Sequence, residues 1–453
     1  MAVTSKPAVR RPTAPSDEPK TAAHMLDALL RDMLGTPSPV RLQCWDGSEA
    51  GPADAPTVIL RSPAALRHLL WAPGELGLAR AYVTGQLDAD GDLYPMLRQV
   101  WQTIRETGAR PPRGPARWVR AAGAARRLGA LGPRPAIPAG EARQRGRLHS
   151  RSRDRSAIAH HYDLGNDFYR LLLDPQMAYS CAYWTRDEPG YGLQDAQRDK
   201  LDLVCRKLDL RPGMRLLDVG CGWGALLLHA AGRYGVNVVG VTLSAEQHAH
   251  VQGQITKAGL GDLAQVRLAD YRDPIDGRFD AVSAIEMSEH VGERTYPAFA
   301  ARLHELLRPR GRLLIQQMSR PGGATGGTTR MRPGGGPFIE SYIAPDMHMR
   351  PLSQTLGHLE VAGFEIRDVE ALREHYVRTV RAWSATLEER WDEFTALTNV
   401  ETARIWRLYL AGGALAFADN RMGVDQILAV RPGPAGDSAV EPLPAWRAQV
   451  KAA

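Results

Sequence analysis

Hydrophobic positions recur along this chain with two different periods. In AAHMLDALLRDMLG, residues 22–35, they fall at helical spacing and stop at a glycine, which predicts a helix. RLQCWDGSEAG and PTVILRS then read as strands around an Asp46-Gly47 turn. SPAALRHLLW returns to helix, with Ser62 as N-cap and Pro63 at the first helical position. Residues 22–105 thus read as a small α+β domain. From residue 156 onward, short apolar runs (MRLLDVG, VNVVGVT, AQVRLAD, FDAVSAIEM and GRLLIQQM) alternate with helical segments. That order implies an α/β fold with a parallel, doubly wound sheet, since parallel neighbours need crossover connections. Residues 338–410 read as a mostly helical cover inserted before the last strands, and 434–453 as a tail.

Composition narrows the class. Of 453 residues, 44% are hydrophobic and 24% charged, which excludes collagen-like, mucin-like or wholly disordered chains. The absence of an apolar run of about 18 residues excludes a membrane-spanning helix. The first residues show no apolar signal core, and the four cysteines have neither zinc nor disulfide spacing, so a cytoplasmic protein is expected. The net charge of +7 is uneven. Between Arg105 and Arg155 there are 14 Arg, no Lys and three acids, while the remainder of the chain is net acidic. With six prolines as well, 106–155 reads as a basic linker, with 116–129 as its one candidate helix. A polyanion would suit it. The lack of Phe and Tyr argues against base stacking, leaving an anionic membrane surface as the preferred partner, with a solvated linker as the plain alternative. Residues 1–21 read as a disordered tail, and seven glycines between 320 and 336 as a mobile loop.

Chemistry concentrates at three strand ends. Leu216-Leu217-Asp218-Val219-Gly220-Cys221-Gly222-Trp223-Gly224 runs from a strand through a glycine turn into a helix. Glycines let the backbone approach a ligand, and the helix start offers free N–H groups. The G-x-G-x-G spacing with Asp218 ahead of it suits a pyrophosphate poorly and resembles the first motif of class I S-adenosylmethionine methyltransferases. The second strand ends in Thr242-Leu243-Ser244, where Ser244 and Gln247 form a helix cap and Thr242, Leu243 and Gln247 are candidates for holding the ribose. The third ends in Asp270-Tyr271, an acid and an aromatic suited to adenine.

These motifs, with HYDLGNDFY (161–169) and MAYSCAYW (177–184), resemble the cyclopropane-fatty-acyl-phospholipid synthases, a family that also contains mycolic acid cyclopropane and methyl-branching enzymes. The resemblance is strong over 156–430. Residues 40–100 resemble the small N-terminal domain of the phospholipid enzymes. It implies a Rossmann-like class I methyltransferase fold and methyl transfer from S-adenosylmethionine to a cis double bond of an acyl chain. A carbocation follows, and bound bicarbonate removes a methyl proton so that a cyclopropane ring closes. Carried over, Tyr179 and Ser180 touch the cofactor, with Asp218, Gly220, Gly222, Trp223 and Gly224 around it. Cys181 offers its backbone to bicarbonate, Glu289 orients that ion and Tyr342 binds it. Gln316 and Met318 stand where the family has a histidine and an isoleucine. Glutamine cannot titrate near neutral pH, which leaves methyl transfer intact and puts ring closure in question.

Four functions are therefore open. The first is cyclopropanation of phospholipid acyl chains by a peripherally membrane-associated enzyme, a homodimer being compatible with the resemblance. The second is the same transfer ending in a methylene or methyl branch. The third is C-methylation of a soluble small molecule. The fourth, a nucleic-acid binder, has only the arginines in its favour and is set aside.

Overall fold

Two β-sheets organise the chain. The computed structural model describes residues 21–107, 122–142, 150–151, 153–154, 164–322, 334–442, 444 and 446. The expected N-terminal tail (all but residue 21), much of the basic linker, His161–Asp163 and the middle of the glycine-rich loop lie outside the described residues.

The N-terminal sheet has the order β2-β1-β3-β4, with β1 at Arg41–Cys44, β2 at Glu49–Ala50, β3 at Thr57–Leu60 and β4 at Leu87–Ala89. The helices Ala22–Leu34, Ala64–Trp71 and Glu75–Val83 frame it. Ser62 Oγ accepts from the Ala64 amide at 3.1 Å, but the helix begins at Ala64 with Pro63 in the cap position, one residue later than expected.

The large sheet has β5 (Arg215–Val219), β6 (Asn237–Thr242), β7 (Ala264–Leu268), β8 (Phe279–Ile285), β9 (Leu307–Ser319), β10 (Glu365–Ala371) and β11 (Gly423–Val430), in the order β10-β11-β9-β8-β5-β6-β7. β11 runs antiparallel to both its neighbours, and the pairs from β9 through β8, β5 and β6 to β7 are parallel. Both faces of the sheet are covered. Leu216 packs with the helices at 193–207 and 225–234, while its neighbour Leu217 packs with the helix at 296–306 on the other face. That is why these strands read as continuous apolar runs rather than as alternating ones.

The expected helical cover is present but interrupted. β10 lies inside it, and its last helix, Val400–Ala418, runs past residue 410. EIRDVEA is an edge strand with no fully buried side chain, so it lacks the apolar signal that marks the central strands. That last helix also docks the N-terminal domain. Arg404, 8% exposed, donates to the carbonyls of Tyr82 (2.6 Å) and Leu87 (2.8 Å), and its guanidinium lies over the Tyr82 ring. Among the described residues no helix is long and apolar enough to cross a membrane.

Candidate active site

Strands β5, β6 and β7 step outward in one direction, and the chain then crosses back to place β8 on the other side of β5. Such a switch point leaves a crevice at the carboxyl ends of the strands. A cavity opens there, lined by Tyr179, Ser180, Asp218, Gly220, Gly222, Trp223, Thr242, Leu243, Gln247, Asp270 and Tyr271. Every expected cofactor residue except Gly224 thus faces one space. Gly224 stands behind the loop, where a Cβ would meet Val251 at 3.0 Å.

The glycine loop is held by its backbone. The amides of Gly220 and Cys221 both donate to the Val241 carbonyl at the end of β6 (2.9 and 3.0 Å). Gly220 has φ +75°, and a Cβ there would come within 2.4 Å of Met287. Gly222 has φ +53° and faces open space, so its backbone is free to approach a ligand. Asp218 is buried and accepts from Ser283 Oγ at 2.8 Å. Burial pushes its carboxyl up to about 6, against the pull of that bond and of Lys200. Thr242 donates to Gln247 Oε1 at 2.7 Å, and Ser244 Oγ accepts from the Gln247 amide, the expected cap. Asp270 is partly committed elsewhere, since both its oxygens accept from Arg272. Tyr271 packs edge-on against Phe299. An open glycine cradle, a buried carboxylate with one hydrogen bond and an aromatic wall fit S-adenosylmethionine: Asp218 and the loop could hold its polar end, and Asp270 and Tyr271 its base.

Beside the glycine loop, an aromatic cluster surrounds Tyr179 and Trp223. Tyr179 packs against Tyr169 and Trp383 (5.5 and 5.2 Å between ring centres), and its hydroxyl meets that of Tyr409 at 3.1 Å. Trp223 packs on Tyr169 at 4.4 Å and donates to Asn166 Oδ1, a residue of the HYDLGNDFY motif. Ser180 Oγ accepts from Lys200 Nζ at 2.8 Å, deep in the protein.

The expected bicarbonate residues are arranged otherwise than the resemblance implies. The Cys181 amide and Gln316 Nε2 do converge, but on a side chain: both donate to Glu286 Oε1, at 2.8 and 2.7 Å. Tyr376 Oη donates to Glu286 Oε2 at 2.5 Å. The donors that a bicarbonate would need are thus occupied by a resident carboxylate, and the residues present do not fit the free ion. Glu289 lies behind this group, with Oε1 accepting from the Met318 amide (2.5 Å) and Oε2 buried with no hydrogen-bond partner. Burial, and after it the nearby Glu286, push Glu289 up to about 8. Tyr342 stands apart from the cavity, donating to Glu141 (3.2 Å), which also pairs with Arg80 of the N-terminal domain. The phenol at the carboxylate is that of Tyr376. Burial drives the Cys181 thiol far above its ordinary range, so it is no nucleophile.

Sequence reasoning missed Glu286, Tyr376 and Lys200. Only Glu286 left a signal, an acid closing an apolar strand at the ligand edge of the sheet.

A family profile described as "Mycolic acid cyclopropane synthetase" matches residues 149–427. "Probable fatty acid methyltransferase Rv3720" of Mycobacterium tuberculosis is 40% identical over 90% of this chain and 95% of its own. "Tuberculostearic acid methyltransferase UfaA1" of the same organism is 32% identical over 91% and 92%. The crystal structure of the mycolic acid cyclopropane synthase CmaA1 with SAH and CTAB has a TM-score of 0.57 at 35% identity, covering 61% of this chain and 98% of that one. By sequence and by fold, this chain belongs to the mycolic acid cyclopropane synthetase family of S-adenosylmethionine-dependent methyltransferases.

Proposed function

We propose that the protein methylates a cis double bond in the acyl chain of a phospholipid and that loss of a proton from the new methyl group closes a cyclopropane ring. When bound, S-adenosylmethionine supplies an electrophilic methyl group. An alkene is a weak nucleophile, so the pocket must exclude water and hold a cation without capturing it. The observation that carries this reading is the aromatic cluster of Tyr169, Tyr179, Trp223 and Trp383 beside the glycine loop. Ring faces stabilise a cation by their quadrupoles and form no bond to it. Two heteroatom groups nearby are disarmed in the same sense, since Cys181 stays a thiol and Ser180 Oγ accepts from Lys200. A fatty acid methyltransferase among the relatives spanning nearly the whole chain supports a lipid substrate.

A second reading keeps the transfer and ends in a methylene- or methyl-branched chain. It is favoured by the relatives that span about 90% of this chain, which are named for methyl transfer to fatty acids or tuberculostearic acid. The cyclopropane mycolic acid synthases cover 59%. Mass spectrometry of liposomes containing cis-monounsaturated phospholipid, after incubation with enzyme and S-adenosylmethionine, tests both. A gain of one CH₂ is expected. Proton NMR then separates high-field ring signals from vinylidene signals, and no mass gain would sink the lipid reading.

The reading includes an anionic membrane surface as the place where substrate is met. Leu70, Trp71 and Leu131 are about half exposed, and Trp71 Nε1 donates to the Gly132 carbonyl, which brings them together. The exposed Arg126, Arg127 and Arg134 belong to the same segment. Apolar side chains next to cations suit anionic headgroups.

A further inference from the structure

We infer that Glu286 is a built-in base for the methyl-transfer reaction, standing where a bound bicarbonate would otherwise sit. The inference rests on the methyl-transfer reading above. Glu286 lines the cavity beside Asp218, Gly220 and Ser180. Its backbone has φ +49°, a left-handed conformation that disfavours any residue with a Cβ. A buried glutamate kept at such a position, where glycine would be the relaxed choice, points to function rather than packing. Three donors hold its carboxylate: the Cys181 amide, Gln316 Nε2 and Tyr376 Oη. A carboxylate has about four acceptor sites, so about one is left for a substrate proton.

The donors are themselves fixed. Lys207 Nζ donates to Gln426 Oε1 at 2.9 Å, and Gln426 Nε2 donates to Gln316 Oε1 at 2.9 Å. A lysine can only donate, so this order forces the NH₂ of Gln316 toward Glu286. Tyr376 remains a phenol, since burial and the Glu286 charge both raise it far above its ordinary range. Burial also raises Glu286, while its three donors and Lys200 favour the ionised form. Glu289 is raised by burial and then by Glu286 beside it, with the backbone amide of Met318 as its donor, whereas Glu286 has three donors opposing its rise.

In the reaction, the alkene π pair forms the new C–C bond to the transferred methyl group, and the C–S pair stays on sulfur. A carbocation remains on the chain. Glu286 takes a proton from the new methyl group, and that C–H pair becomes the ring bond. Glu286 ends as a neutral acid and returns its proton to water once product leaves.

The test compares wild type, Glu286→Gly and Glu286→Gln in carbon-dioxide-free buffer with and without added bicarbonate. Turnover is read as S-adenosylhomocysteine formed on unsaturated liposomes, bicarbonate binding by calorimetry, and folding by S-adenosylhomocysteine binding. Wild type is expected to ignore bicarbonate in both assays. Both variants should lose about 100-fold or more in turnover, the scale of a positioned base. Glu286→Gly, which suits the φ and frees the donors, should bind bicarbonate and recover about tenfold or more. Glu286→Gln should do neither. Bicarbonate-dependent turnover or bicarbonate binding in wild type, or full turnover in Glu286→Gln, would overturn the inference. If wild type forms no S-adenosylhomocysteine with or without bicarbonate, the lipid reading fails instead. Calorimetry still decides Glu286: binding by the glycine variant alone supports it, and binding by wild type overturns it.

Discussion

Two acids three positions apart, Glu286 and Glu289, behave differently because only one has its oxygens satisfied. Glu286 is held by three donors, whereas Glu289 Oε2 has none. A carboxyl whose folded-state value is raised favours folding fully below its ordinary value of 4.5 and loses that contribution as pH rises through about 8. Asp218, raised to about 6, acts in the same sense at lower pH. The ligand-free enzyme should therefore show a Tm that falls between about pH 4.5 and 8. In Glu289→Gln the upper part of that fall should flatten, as read by calorimetry across pH; an unchanged slope would mean that Glu289 is ionised in the folded protein. The same variant should lose less turnover than Glu286→Gln, about tenfold at most, because Glu289 does not line the cavity. Gly220→Ala has a different fault. Its Cβ would strike Met287 at a φ of +75°, so the loop must shift. S-adenosylhomocysteine affinity should drop by about tenfold or more while the fold survives, and an unchanged Kd would show that the loop yields freely.

Between elements, the decisive connection is the polar relay that starts at Lys207, at the end of the helix Leu193–Lys207, and crosses β11 and β9 to the end of β8. Lys207 is fully buried and also pairs with Asp368 (3.3 Å) and Glu370 (2.5 Å) of β10. Replacing it by Met strands acceptors that are only partly exposed, and should cost about 2–3 kcal/mol in a urea titration. It should also lower turnover by releasing Gln426 and hence the orientation of Gln316, whereas a stability loss with normal turnover would separate the relay from the site. This relay also shows where the sequence stops being readable. The apolar runs of β5 to β9 were legible because both faces of those strands are buried, and the cavity residues that follow β5, β6 and β7 were legible because they sit within a few positions of strand ends, whereas Tyr179 and Ser180 came from the resemblance alone. The base site is assembled from Cys181, Glu286, Gln316 and Tyr376, which are distant in sequence and share no local pattern. The resemblance assigns Tyr342 to bicarbonate, and tertiary packing turns it toward Glu141 instead. Gln316, which alone suggested a missing base, is half of a pair whose other half is Glu286.

At the scale of the molecule, the helix Val400–Ala418 serves two ends at once. It carries Tyr409 to the aromatic pocket and Arg404 and Arg407 to the N-terminal domain, with Arg407 donating to the Gly91 carbonyl at 2.9 Å. Any force that seats the N-terminal domain is therefore applied to an element that also packs on the aromatic cluster. In the proposed membrane reading, the exposed Leu70 and Trp71 of that domain, with Leu131, Arg126, Arg127 and Arg134 of the following segment, are the face that would meet a bilayer. Two terms should be separable there. Trp71→Ser with Leu131→Ser removes apolar contact, worth about 1.5–3 kcal/mol for each large side chain that becomes fully buried. Arg127→Ser with Arg134→Ser removes cations worth about 1 kcal/mol each near an anionic surface. Vesicle cosedimentation should therefore weaken in both double variants, and the salt dependence should flatten only in the arginine pair. All four side chains are exposed, so Tm and S-adenosylhomocysteine affinity should hold. Equal binding of wild type and both variants would place the docking face elsewhere. Loss of vesicle turnover together with retained turnover on detergent-dispersed unsaturated lipid would show that the face delivers substrate and takes no part in the chemistry.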